Sequence, residues 1–180
     1  FDKLFEKKEC AICGGEIGLL GNRKLEDGNM CKKCAEKLSP WFTDRKESTV
    51  AEIQEQLAYR EANKEKVAAF NVTRILGEDR KIYLDEDKMQ FFVTNARDWK
   101  DANPDVLDFT QVTGVDLDTS ESRTEEMRET PNGEKVSYNP PRYTYYYDFD
   151  ITIMVNHPYF DRMNFQRLII NIYIIYATFF

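Results

Sequence analysis

Residues 44–70 have the apolar spacing of a helix. The apolar positions recur at near-helical intervals along one narrow stripe, which contains Val50, Ile53, Leu57 and Val67. Thr49 stands before this run and Glu52 follows three residues later, which fits a capping box at a helix start. The other faces of the segment are densely charged. The pattern predicts a helical connector over residues 41–70 that rests on the next domain by that stripe.

Beyond residue 70 the apolar period changes to two, which is typical of strands. Short strands are predicted at Val72–Leu76, Lys81–Leu84, Met89–Thr94 and Val112–Leu117. The clearest alternation runs over residues 142–155. One face of that strand carries Tyr143, Tyr145, Tyr147, Phe149, Ile151, Ile153 and Val155. Such alternation is expected of an antiparallel sheet with one solvated face, so residues 71–180 are predicted to form an antiparallel β domain.

Three segments of this β domain have other patterns. Residues 97–105 look like a loop or a single helical turn, and the polar segment 120–139 predicts a long exposed hairpin tip or a mobile loop. Residues 165–180 are apolar on both faces from Leu168 onward and favour a fully buried strand. That apolar run is too short for an ordinary membrane span.

Residues 1–40 contain all four cysteines, in two C-x-x-C pairs separated by seventeen residues. Between the pairs, 17–20 and 23–25 are predicted to be short strands around Gly21-Asn22, and Asp27-Gly28 turns the chain back. The second pair has no adjacent glycine, so it is predicted to start a short helix. The fold class that follows is α+β: a zinc ribbon at 1–40, the helical connector at 41–70 and the β domain at 71–180.

The cysteine spacing indicates a zinc site with Cys10, Cys13, Cys31 and Cys34 as ligands. Four thiolates at about 2.3 Å close a tetrahedron and leave no position for water or substrate, so a structural Zn²⁺ is expected. Two alternatives remain open at this point. A redox dithiol would favour a βαβ context, which the pattern lacks, and an iron–sulfur cluster also uses four cysteines.

Composition and charge narrow the class of protein. Hydrophobic residues make up 42% of the chain and aromatic residues 13%, which predicts a folded protein. The net charge is −7, with eight Lys/Arg against seven Asp/Glu in residues 1–40 and seventeen against twenty-five in the remainder. Nucleic acid is therefore not an expected partner, because binding to its phosphates needs clustered Lys and Arg. The paired cysteines and the charged N-terminus, which is unlike a secretory signal, favour a cytoplasmic location.

The cysteine segment resembles a known bacterial family. The matching residues are Cys10-Ala-Ile-Cys-Gly-Gly-Glu-Ile-Gly-Leu-Leu20, Arg23-Lys-Leu25, Asp27-Gly28 and Cys31-Lys-Lys-Cys34. This segment of about 40 residues is similar to the zinc-ribbon family called domain of unknown function 4428, which implies the same four zinc ligands and brings no established activity. Downstream, Lys81-Ile-Tyr-Leu-Asp85, Phe91-Phe-Val93 and Val106-Leu-Asp-Phe109 resemble bacterial pleckstrin-homology-like domains.

Residues able to support catalysis are few. His157 is the sole histidine, and its Asn-His-Pro-Tyr setting predicts a turn residue. The acidic run 85–87 lacks the spacing of a calcium loop and is predicted to be a solvated turn. Asp148 and Asp150 share one strand face and are expected to face solvent. Among Tyr143–Tyr147, core packing accounts for all but the outward-facing Tyr146, which is a candidate contact surface. An enzyme is therefore not expected.

The function predicted from these patterns is non-catalytic binding. The first hypothesis is a protein-interaction adaptor in which the ribbon and the sheet dock partner proteins. The alternative is a membrane-surface module that uses the amphipathic segment Phe1–Lys8 or the apolar C-terminal end.

Overall fold

The computed structural model describes residues 7–77, 79–166 and 177–180. The helices are α1 (Lys32–Ala35), α2 (Val50–Ala68) and α3 (Trp99–Ala102), with 3₁₀ turns at Arg45–Glu47 and Phe109–Gln111. The strands are β1 (Lys8–Glu9), β2 (Glu16–Ile17), β3 (Asn22–Lys24), β4 (Asn29–Cys31), β5 (Arg74–Leu76), β6 (Lys81–Asp85), β7 (Gln90–Thr94), β8 (Leu107–Asp108), β9 (Val112–Glu129), β10 (Lys135–Val155) and β11 (Arg162–Gln166). All their pairings are antiparallel, so the α+β class is confirmed.

The N-terminal unit consists of two short hairpins followed by α1. Strand β1 pairs with β2, and β3 pairs with β4. The predicted pairing of 17–20 with 23–25 is therefore wrong. The chain does turn at Gly18–Gly21, where the Gly21 N–H donates to the Gly18 carbonyl at 2.9 Å, but Leu19 and Leu20 lie in that turn and form no strand. The second hairpin instead closes where the Leu25 N–H donates to the Gly28 carbonyl at 2.9 Å.

Helix α2 begins at the predicted capping box. The Glu52 N–H donates to Thr49 Oγ1 at 3.3 Å, and the Thr49 N–H donates to Glu52 Oε2 at 2.7 Å. This reciprocal pair satisfies two N–H groups that the first helical turn would otherwise leave without partners. The Val50 N–H donates to Asp27 Oδ1 at 2.8 Å, so the helix start is also tied to the second hairpin.

The buried face of α2 differs from the predicted apolar stripe. It consists of Ile53, Gln56, Arg60, Asn63 and Val67, at alternating spacings of three and four residues. Ile53 packs into the core of the N-terminal unit, whereas Val67 packs in a cluster that contains Phe92 of the β domain. The helix therefore contacts both units along its length, with polar side chains at the centre of its buried face.

Two antiparallel sheets form the β domain. One has the strand order β5-β6-β7-β8 and the other β11-β10-β9. Strands β5 to β7 lie where they were predicted, and α3 is a single helical turn, one of the two forms predicted for 97–105. Buried side chains of both sheets, including Leu84, Phe91, Ile151 and Ile153, belong to one hydrophobic core. The sheets therefore pack face to face.

Strands β9 and β10 extend beyond this core as a two-stranded arm. The polar segment 120–139 is a hairpin, as one of the two predictions has it, but most of it is strand and the turn occupies only 130–134. Ile151, Ile153 and Val155 are buried as predicted. Tyr145 and Tyr147 are about half exposed, so their predicted core packing is wrong. The alternation of side chains continues regularly in this part of β10. The strand there lies beyond the end of the hydrophobic core, however, so the tyrosines are not covered.

Two segments named in the sequence predictions lie largely outside the described residues. These are the amphipathic segment 1–8, of which only Lys7 and Lys8 are described, and the apolar run at 165–180, of which 165–166 and 177–180 are described. Within the part of the chain that the structure describes, there is no helix of the length and apolar character that a bilayer crossing requires.

Candidate metal centre

Two backbone turns bring the four cysteines together. The first pair lies in the turn after β1, where the Gly14 N–H donates to the Cys10 carbonyl at 2.8 Å and Gly14 adopts a φ of 71°. A positive φ is readily available to glycine, so Gly14 allows the chain to close around the first pair. The second pair joins β4 to α1, with Cys31 as the N-cap of that helix. The prediction that the second pair starts a short helix is confirmed.

The four sulfur atoms have the spacing of a tetrathiolate site. They all lie within 4.8 Å of one another, and the Sγ atoms of Cys13 and Cys31 are 3.8 Å apart. A tetrahedron with metal–sulfur bonds of about 2.3 Å has edges of about 3.8 Å. The donor set and its spacing therefore fit one metal ion, and the predicted ligand residues are the ones that meet.

Backbone N–H groups stabilise negative charge on this cluster. The Cys31 N–H donates to Cys10 Sγ at 3.2 Å, and the Cys34 N–H donates to Cys31 Sγ at 3.4 Å. Burial alone would raise the pKa of the Cys10 thiol, but the N–H groups of Cys13, Cys31 and Ile12 outweigh it and lower that pKa to about 6. The Cys10 thiol therefore ionises more readily than an ordinary cysteine thiol.

Cys34 has the opposite tendency. Burial raises the pKa of its thiol above the ordinary value, and the neighbouring sulfurs of Cys31, Cys13 and Cys10 raise it further. Four adjacent thiolates repel one another strongly, so a bound cation is needed to hold them all in the charged form. A cluster of four sulfurs that cannot all ionise without a nearby cation is what a metal site of four cysteines consists of.

The cluster is part of the small core of the N-terminal unit. Cys10 is 1% exposed and Cys34 is 4% exposed, and both pack with Leu25, Met30 and Ile53. Cys31 is partly buried, whereas Cys13 is exposed. Metal binding would therefore order a core that contains few apolar residues.

Comparison with known proteins gives a family match that spans the cysteine cluster. Residues 8–56 match the family described as Domain of unknown function (DUF4428). The match contains all four cysteines and the first part of α2, including Ile53, and it confirms the resemblance of the cysteine segment. No curated protein and no solved structure matches the chain. The likeness of the β domain to pleckstrin-homology-like domains stays a prediction.

A buried ion pair connects the DUF4428 segment to the β domain. Arg60 Nη1 of α2 lies 2.9 Å from Asp105 Oδ1, and the two side chains are 7% and 1% exposed. Ser39 Oγ donates to the other carboxylate oxygen of Asp105 at 2.7 Å, and Arg60 Nε donates to the Lys37 carbonyl at 3.1 Å. The pair therefore joins three parts of the chain: the end of the ribbon, α2 and the loop before β8.

The next turn of α2 makes a second polar contact with the same loop. Asn63 Nδ2 donates to Asn103 Oδ1 and to the Pro104 carbonyl, both at 2.8 Å, and the Val106 N–H donates to Asn63 Oδ1 at 3.0 Å. Sequence reasoning missed this network because it followed apolar residues only. One feature of the sequence could have revealed it: Gln56, Arg60 and Asn63 continue the helical spacing that starts at Ile53, so they lie on the same face of α2.

The histidine lies in the connection between β10 and β11, where a turn residue was predicted. Its ring stacks on Phe160 at a centroid distance of 3.9 Å, and its Nδ1 accepts the Tyr159 N–H at 3.2 Å. Burial lowers the pKa of His157 to about 4, so the ring is neutral at pH 7. His157 lines an open groove of about 720 Å³ together with Trp41 and Tyr159.

The predicted solvated turn at 85–87 is wrong for its first residue. Asp85 is fully buried, and its carboxylate accepts the N–H groups of Asn71 and Lys88 at 2.9 and 3.1 Å. Burial alone would raise the pKa of Asp85, but these hydrogen bonds and the Lys88 ammonium lower it. Asp85 therefore holds the β6–β7 turn. Asp148 is exposed, and the partly buried Asp150 accepts a hydrogen bond from Asn164 Nδ2 at 2.8 Å.

The turn between β2 and β3 carries two exposed apolar side chains, which had been predicted to lie in a strand at 17–20. Leu19 is 81% exposed and Leu20 is 89% exposed. Arg23 Nη1 donates to the Leu20 carbonyl at 3.2 Å, in addition to the hydrogen bond from Gly21 to Gly18. The two leucines therefore project from a turn with a defined backbone, which we call the leucine tip.

Proposed function

We propose that this protein is a non-catalytic zinc-binding adaptor, in which Zn²⁺ held by Cys10, Cys13, Cys31 and Cys34 orders a ribbon that docks a partner protein. The observation that carries the metal site is the convergence of four sulfurs within 4.8 Å at the core of the N-terminal unit. Zinc is the favoured ion because it takes four thiolates in tetrahedral geometry and paired C-x-x-C knuckles are its usual ligands.

A structural role for the metal follows from the ligand count. Four protein ligands fill a tetrahedron, and the ion then has no open coordination position at which a water molecule could be activated. The four cysteines would hold the ion between the two hairpins, and the ion would offset part of their negative charge. The chemistry that bound Zn²⁺ adds is therefore the fixing of one turn against another.

The metal assignment predicts one zinc ion per chain. Elemental analysis of the protein purified without added metal should give a zinc-to-protein ratio close to one, with iron near background. An absorption band in the visible range together with bound iron would point to an iron–sulfur cluster instead. A purified chain with four free thiols and no metal would contradict the proposal.

The leucine tip supports the docking role. Burying a leucine side chain stabilises a complex by about 1.5–3 kcal/mol, and two leucines side by side on a defined turn offer that gain at little cost in backbone ordering. The tip also lies on the unit that the metal orders. Partner binding through it would therefore depend on the zinc site, which joins the two parts of the proposal.

Substitution of the tip tests the docking role. The double variant Leu19→Ser/Leu20→Ser should lose binding of a stoichiometric partner by about 30- to 100-fold, because the apolar contact area is removed. The measurement is affinity capture from extract of the source organism, followed by titration of the recovered protein against each variant.

Met127→Ser provides the matched control, since Met127 is a half-exposed apolar residue on the arm. It should leave binding unchanged. Zinc content should equal that of the parent chain in both variants, because none of the three residues is a proposed ligand. Recovery of the same proteins at the same affinity with the tip variant would contradict docking through the tip.

A further inference from the structure

The four sulfurs of the proposed zinc site differ in accessibility. Cys10 and Cys34 lie in the core, and Cys31 is partly buried. Cys13 is exposed. An electrophile or oxidant must reach the sulfur atom along an open direction, so accessibility separates four chemically identical ligands.

Hydrogen bonding also distinguishes two of the less accessible sulfurs from the exposed one. The backbone N–H groups of Cys31 and Cys34 donate to Cys10 Sγ and Cys31 Sγ, at 3.2 and 3.4 Å. A donated hydrogen bond withdraws electron density from a thiolate and stabilises it, which makes that sulfur a weaker nucleophile. Two of the less accessible sulfurs are thus also held by backbone donors.

A glycine lies next to the exposed sulfur. A Cβ atom built on Gly15 would lie 3.4 Å from Cys13 Sγ. Any side chain at position 15 would therefore contact this sulfur and cover part of its surface. Gly18, in the same ribbon, has open space around the corresponding Cβ position.

We propose that Cys13 is the oxidant-sensitive ligand of the site, the first to react with a hydroperoxide, and that it then forms a disulfide with Cys31. The inference rests on the proposed zinc site. The Cys13 sulfur attacks one peroxide oxygen, the O–O bond breaks, and the other oxygen leaves as hydroxide or alkoxide and takes a proton from solvent. This step forms a sulfenic acid on Cys13.

The second step uses the nearest sulfur. Cys31 Sγ lies 3.8 Å from Cys13 Sγ, so its thiolate attacks the sulfenic sulfur, the S–O bond breaks and hydroxide leaves to become water. The two sulfurs together supply the two electrons that reduce the peroxide. Two ligands are lost at once, and the site releases its metal.

Release of the metal would also change the fold of the ribbon. Cys31 is the N-cap of α1, and its Sγ accepts the Cys34 N–H. Moving that sulfur into a disulfide with Cys13 removes the cap, and loss of the metal leaves Cys10 and Cys34 in the core without the ion that would join them. Hydroperoxide would therefore disorder the ribbon that presents the leucine tip.

Peptide mapping tests the inference on the full zinc-loaded chain. Trypsin places Cys10 and Cys13 on residues 9–23, Cys31 on 25–32 and Cys34 on 34–37. Limiting N-ethylmaleimide should put the first adduct on Cys13, located within 9–23 by fragment ions. Hydrogen peroxide should link 9–23 to 25–32 through Cys13, with zinc release followed by a chromogenic chelator.

Two glycine variants separate accessibility from general loosening of the ribbon. Gly15→Ala should slow modification of Cys13 by about threefold or more at unchanged zinc content, because the new methyl group lies against the sulfur. Gly18→Ala should leave the rate unchanged.

The outcomes distinguish this inference from the zinc proposal. First adducts on Cys10, Cys31 or Cys34, or spread evenly over the four, would overturn the inference while the bound zinc stands. Equal rates in both glycine variants and the parent chain would overturn the shielding argument. A parent chain without zinc would overturn the zinc proposal itself, and this inference with it.

Discussion

Replacing Cys34 with serine is expected to abolish metal binding and to unfold residues 8–40. Cys34 is buried in the small core of the ribbon, and a serine hydroxyl does not replace a thiolate as a zinc ligand. Structural zinc contributes on the order of 10–16 kcal/mol to such a unit at neutral pH, which exceeds what this few-residue core can supply. The measurement is loss of dispersed amide signals from residues 8–40 in a ¹H–¹⁵N spectrum, together with elemental analysis.

Ala35→Ser is the matched control, because it places the same hydroxyl at the adjacent position of α1 without removing a ligand. It should retain one zinc per chain and a folded ribbon. A strong chelator added to the parent chain should reproduce the effect of Cys34→Ser. Signals from β6, β7 and β10 should persist in both cases, since those strands have a core of their own. A ribbon that stays folded without metal would refute the structural role of the site.

Replacing Arg60 with methionine is expected to destabilise the zinc-loaded protein by about 3–5 kcal/mol. The change leaves the Asp105 carboxylate buried without its cation, and an unpaired buried charge is far more costly than the loss of a surface ion pair. Urea unfolding, followed through a signal of the β domain, measures the free energy of unfolding.

Lys64→Met is the control on the same helix. Lys64 forms an exposed ion pair with Glu61 at 2.7 Å, so its removal should change stability by less than about 0.5 kcal/mol. The double variant Arg60→Met/Asp105→Leu should recover part of the lost stability, because it removes both charges together. If Arg60→Met and Lys64→Met have equal effects, the buried network does not stabilise the junction.

Local sequence signals predicted the elements that depend on neighbouring residues. The capping box of Thr49 and Glu52 acts within one helical turn, and it lies where it was predicted. The second C-x-x-C pair starts α1 as predicted, and the alternation over residues 142–155 lies within β10. At the two helix starts the hydrogen bonds join residues three positions apart, whereas β10 was recognised from its alternation alone and its hydrogen-bonded partners lie in β9 and β11.

Features that depend on residues distant in sequence were either missed or wrongly predicted. Arg60 and Asp105 are 45 positions apart, and each is a residue type that is almost never buried without a partner. Tyr145 and Tyr147 continue an apolar face, but whether a strand face is covered depends on what packs over it. The burial of Asp85 was unpredictable for the same reason, since its carboxylate accepts the Asn71 N–H from a separate segment.

The fold class, the start of α2 and the four cysteines that meet were predictable from short-range spacing and from the identity of sulfur as a ligand. The exposure of Cys13, the burial of Cys10 and Cys34, and the charged and polar groups that join α2 to the ribbon and the β domain became visible in the folded chain. Burial is a property of what surrounds a side chain. Those surroundings come from parts of the chain that only folding brings together.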